Sequence, residues 1–198
     1  MAHESKDYSA LVGKLDGFLS QKQLEAHFGL YKGYVTKLNE IETKLSSIDP
    51  ATANYSFNEF SELKRREAVA FNGAFLHEMY FENLSPSADA GSASSELNAA
   101  LEASFGSFEK FAANLKGVAM SSPGWSVLTY NKVDKKLHTY LLQEHHIGLP
   151  VHQELLLVLD SWEHAFMIDY GTARVTYVDG FAKHINWSVV NERFAKLG

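Results

Sequence analysis

The sequence predicts an α+β protein, an N-terminal antiparallel α-hairpin followed by an α/β domain with a three-stranded antiparallel sheet. Two long stretches of three- and four-residue apolar periodicity fill roughly the first 84 positions, and three short apolar or alternating runs follow. Between them lies a small, polar stretch from Ser85 to Ser95, whose composition marks a linker. That stretch divides the chain into a helical hairpin domain over 1–90 and an α/β domain over 91–198.

In the first stretch Leu24, Phe28, Tyr31, Val35, Leu38, Ile41 and Leu45 form one stripe, and Ser20 with Gln23 fits a capping box at its start. The helix is expected to stop near Asp49-Pro50. Residues 56–84 read as a second helix, with Phe60, Leu63, Ala70, Ala74, His77 and Phe81 on one face. Long helices joined by a short connection pack antiparallel, so His27, early in the first, meets His77, late in the second.

Beyond the linker, residues 96–105 and 108–119 read as helices. Residues 125–132 and 137–143 read as strands joined by the turn Val133-Asp134-Lys135. The run from Leu155 to Leu159 is a third, buried strand, and helical segments follow around 165–169, 177–184 and 189–197. At the end of the third strand stand Asp160 and His164, a hard and a borderline metal donor that a turning strand end can aim at one point.

Composition narrows the functional classes. With 198 residues, 45% hydrophobic and 13% aromatic, the chain can bury a substantial core. A net charge of -6 argues against nucleic-acid or anionic-membrane partners. No stretch approaches a membrane span and Met1 to Ser9 lacks the apolar core of a signal peptide, so a cytoplasmic location is expected. The absence of cysteine leaves nitrogen and oxygen as the metal donors.

Taken together, Asp160-Ser161-Trp162-Glu163-His164-Ala165, Leu15-Asp16-Gly17-Phe18-Leu19-Ser20, Gly106-Ser107-Phe108, Gly124-Trp125, Tyr170, Asn186-Trp187 and Arg193 resemble, in order, the iron/manganese superoxide dismutase family. The resemblance implies one iron or manganese ion per chain held by His27, His77, Asp160 and His164, with superoxide as substrate. It also implies aromatic walls at Trp125 and Trp162, a tyrosine at the mouth in Tyr34, and a homodimer bridged by Glu163, with a tetramer left open.

The family's hydrogen-bond donor to metal-bound solvent is most often a glutamine. Gly73 stands at the helix position from which one subgroup supplies it, so here the donor is His145 or Gln143, two residues apart. Arg174 and Lys32 are candidates for a positive field at the entrance. The chain also departs from the family. His27 to Tyr34 is one residue shorter than usual, Tyr31 stands where a gateway histidine is common, and Met167 replaces that histidine's tyrosine partner. The resemblance therefore implies a superoxide dismutase, and the departures leave as alternative a catalytically weak metal-binding relative with a structural, storage or regulatory role.

Overall fold

The computed structural model describes residues 2–15, 17–85 and 91–197. Asp16, within the family-like opening segment, and residues 86–90 of the expected linker, up to its 90/91 boundary, lie outside the described residues.

Helices α1 (Gln21–Leu45) and α2 (Glu59–Glu82) form the hairpin. Ser20 caps α1 by accepting from the Gln23 N–H, and Asn58 caps α2 by accepting from the Ser61 N–H. Only half of the expected capping box forms. The Gln23 amide instead donates to the His164 carbonyl at 2.6 Å and accepts from the Ile168 N–H at 3.0 Å, which ties the first turn of α1 to a segment 141 residues away.

The second half begins with α3 (Ser95–Phe105) and α4 (Phe108–Ser121), capped by Ser94 and Ser107. Gly106 ends α3 at φ 92°, a left-handed conformation that glycine adopts without a Cβ clash. Three strands follow, β1 (Trp125–Asn131), β2 (Lys136–Leu142) and β3 (Gln153–Asp160). They form one three-stranded antiparallel sheet, as the sequence predicts, and its order is β2-β1-β3.

The register places Trp125 opposite Asp160, so the start of the central strand and the end of β3 lie at the same end of the sheet. β3 packs against α2, and α4 against β1 and β2. A 3-10 turn (Glu163–Ala165), then α5 (Met167–Tyr170), α6 (Arg174–Lys183) and α7 (Trp187–Ala195) complete the chain. One hydrophobic core runs from Leu24 and Phe81 of the hairpin through Trp125, Val127 and Leu157 to Phe181 and Val190. Among the described residues no helix is long and apolar enough to cross a membrane.

Candidate metal centre

His27 lies on the buried stripe of α1 and His77 on that of α2, while β3 ends at Asp160 and the 3-10 turn returns His164 toward it. The turn is held locally. Asp160 Oδ1 accepts from the Trp162 N–H at 2.9 Å, and the Asp160 carbonyl accepts from the Tyr177 hydroxyl at 2.8 Å. Oδ2 is left to face the imidazoles. Nε2 of His27, His164 and His77 stand 3.0, 3.2 and 3.6 Å from it.

All four donor atoms lie within 4.8 Å of one another. Donors about 2.0–2.2 Å from a common ion stand roughly 3–4 Å apart, so the spacing fits a single bound cation. Protonation argues the same way. His77 Nδ1–H donates to the Gly73 carbonyl, so its Nε2 presents a lone pair, 3.4 Å from His164 Nε2 and next to a carboxylate oxygen. Opposed lone pairs in a buried pocket are stabilised by a cation between them.

Burial lowers the proton affinity of His27 and, reinforced by His27, pushes His77 down to about 3. Burial pushes the Asp160 carboxyl up, yet His164 and His27 outweigh it and hold it well below the usual carboxylate range. Neutral imidazoles and an ionised carboxylate are the states in which these groups ligate metals.

Around the cluster stand three rings and one further histidine. Tyr34 stacks on His77 at 5.4 Å, Trp125 meets His77 edge-on at 4.9 Å, and Trp162 stacks on His164 at 6.1 Å. His145 is 4% exposed, with Nδ1 2.9 Å from Trp125 Nε1 and Nε2 2.6 Å from the Tyr34 hydroxyl. Of the two sequence candidates the structure brings His145, not Gln143, to the site. Gln143 is exposed at the end of β2, where its N–H closes a turn onto the Ile147 carbonyl.

The structure places three residues weighed for the entrance as follows. Tyr31 is fully buried, with its hydroxyl on Glu78 Oε1. Two positions from Tyr34, and so about 200° around the helix, Lys32 is exposed where its charge acts on Asp7. Arg174 donates to the Ser122 carbonyl, and its Nε is buried without a partner, so it is a structural tie more than a free entrance charge. Glu163 and Met167 are exposed.

Periodicity and motif spacing pass over two supports of the site. Besides the Gln23 link, the Asn72 amide donates to the His145 carbonyl at 2.8 Å, fixing the loop after β2 to α2. Asn72 is adjacent to Gly73, the position already singled out, but nothing local signals a partner 73 residues away.

Residues 93–193 match the family described as iron/manganese superoxide dismutases, C-terminal domain. Among curated proteins, the iron superoxide dismutase of Aquifex pyrophilus is 38% identical over 182 residues, covering 90% of this chain and 85% of that protein. That of Cupriavidus metallidurans is 36% identical over 204 residues, with 98% of each chain covered. The manganese superoxide dismutase of Mycolicibacterium paratuberculosis is 31% identical over 192 residues, covering 96% of this chain and 89% of the relative.

Proposed function

This chain belongs to the iron/manganese superoxide dismutase family, an oxidoreductase family, and on that premise we propose that it converts two superoxide anions and two protons into oxygen and hydrogen peroxide. His27, His77, Asp160 and His164 hold one iron or manganese ion per chain. The observation that carries this reading is the convergence of three imidazole nitrogens on Asp160 Oδ2. When bound, the ion supplies the alternation between two oxidation states that oxidises one superoxide and reduces another.

The chain's own residues bind, exclude water and place protons. Tyr34, Trp125 and Trp162 wall the cluster, which keeps the local dielectric low and strengthens attraction for an anion. Burial raises the Tyr34 hydroxyl's pKa, so it holds its proton at neutral pH. His145 Nε2–H donates to the Tyr34 oxygen, leaving the hydroxyl proton free to be donated into the site.

The protein works as a homodimer. Glu163 is exposed beside His164, itself 30% exposed in its side chain, and Met167 and Ile168 next to them are each 46% exposed. A second copy seated there would cover that apolar surface.

The test is superoxide decay after pulse generation, expressed per bound metal, for protein loaded separately with iron and with manganese. A rate near the diffusion limit with one metal supports dismutation and names the cofactor. Turnover no faster than the free solvated ion, with stoichiometric metal bound, overturns the activity and leaves a metal-binding protein.

A further inference from the structure

Near the cluster, Glu78 is a buried carboxylate that the dismutation chemistry does not use. Glu78 follows His77 on α2 and is 6% exposed. Its Oε1 accepts from the Tyr31 hydroxyl at 2.7 Å, and its Oε2 lies 2.8 Å from Lys6 Nζ. Tyr31 is one turn from His27 on α1 and is fully buried. A hydroxyl–carboxylate bond thus joins the two helices at the level of their two ligand histidines.

The third party is residues 3–8, which cross both helices without regular structure of their own. At one end the His3 N–H donates to Asn39 Oδ1 at 2.8 Å, and the Asn39 amide donates to the His3 carbonyl at 2.9 Å. At the other end the Lys6 N–H donates to the Tyr31 oxygen at 2.9 Å, and Lys6 Nζ also reaches Glu82 at 2.8 Å. Tyr8 packs its ring on Phe28, Tyr31 and Phe81.

Ring contacts anchor the strap at His3 and Tyr8, but between them residues 4–7 are exposed and held by polar bonds alone, so this stretch can open while Tyr8 stays packed on the core. Opening has a cost elsewhere. It removes the ammonium from Glu78 and leaves a carboxylate inside the hairpin with one donor, a strongly unfavourable state. Parting of the helices at that level lets water reach it, and the same movement separates His27 from His77.

We infer that residues 3–8 are a latch on the metal centre and that Glu78 is the positioning residue through which the latch holds His77 against His27. The ion is gained and lost by strap release, without global unfolding. This rests on the four-ligand reading above, so bound metal is measured first. Wild-type protein without stoichiometric manganese or iron would overturn that reading and the latch with it.

With stoichiometry established, the manganese-loaded protein is challenged with excess EDTA and the release rate followed by the appearance of EDTA-bound manganese. Lys6→Gln should accelerate release about tenfold, within the range typical for groups that support metal ligands. Its urea unfolding rate should change much less. The double variant Lys6→Gln with Glu78→Gln should return toward wild-type release, because a neutral amide does not need the ammonium. Native-state hydrogen exchange at the Lys6 amide should open at least as fast as the metal leaves. Unchanged release in Lys6→Gln, release that rises only in proportion to unfolding, or a double variant as leaky as the single would each overturn the latch.

Discussion

Trp125 donates its indole N–H to Nδ1 of His145 over 2.9 Å, and this bond decides which proton the imidazole carries. An indole nitrogen is a donor only, so Nδ1 must accept and the hydrogen of the neutral ring sits on Nε2. Nε2 then faces the Tyr34 hydroxyl at 2.6 Å. Burial disfavours a second proton, which would also set an N–H against the indole N–H. His145 is thereby a fixed neutral donor to the Tyr34 oxygen.

Trp125→Phe keeps the wall and removes the lock. The expected result is a mixture of imidazole tautomers, read as ¹⁵N chemical shifts of His145 that move from the Nε2–H pattern toward averaged values. Turnover per metal should fall about 10- to 100-fold, the usual effect of removing such a supporting contact. Unchanged ¹⁵N shifts would show that Trp125 does not set the tautomer.

Gly73 makes room for Tyr34. A Cβ at position 73 would stand 2.5 Å from Tyr34 Cδ1, closer than a ring against a helix can tolerate. Gly73→Ala should therefore cost about 1–3 kcal/mol in urea unfolding and push the Tyr34 hydroxyl off His145. Tyr34→Phe removes the hydroxyl and keeps the ring. If Gly73→Ala leaves both stability and turnover at wild-type levels, the ring is freer to shift than its packing implies.

Much of this arrangement was legible in the sequence because it follows from short-range pattern. The three- and four-residue spacing places His27 and His77 on buried stripes, and the apolar run before Asp160 sets it at a strand end. What the sequence left open depends on contacts between distant segments. Choosing between Gln143 and His145 turns on a tight turn bridging Glu144 and Ile147, with Gly148 at φ 118° against the Leu141 carbonyl, so a two-residue offset decides which side chain points inward. Tyr31 has the helical phase of a residue near His27, but its role is set by Lys6, 25 positions away. The Gln23 side chain left its capping box because carbonyl and N–H groups of the loop carrying His164 compete for it.

Glu163 should matter for assembly more than for metal binding. Glu163→Ala is expected to lower the apparent mass of the protein at nanomolar concentration in mass photometry, while bound metal stays stoichiometric. A mass unchanged on dilution would remove Glu163 from the interface.

Acid should destabilise the metal-free protein through the same imidazoles that bind metal. In the folded metal-free state His77 is pushed down to about 3, and burial lowers His27 as well. The unfolded chain takes up protons at these positions near the ordinary histidine value of about 6.5. Below that pH the unfolded state binds protons that the folded state refuses, so the stability these groups contribute is present above about 6.5 and is lost as pH falls toward the folded value. For each such imidazole the loss approaches about 1.4 kcal/mol per pH unit. Asp160, held well below the usual carboxylate range, adds loss of the same sign at lower pH. Urea unfolding of the metal-free protein between pH 7.5 and 4.5 should show this slope, and His77→Gln should reduce it by about one proton's worth. A bound cation excludes protons from the folded site more completely still, so with metal present the acid limb should appear as metal release coupled to unfolding. Stability independent of pH across this range would mean that the folded cluster accepts protons as readily as the unfolded chain, and the buried, neutral character of His27 and His77 would have to be abandoned.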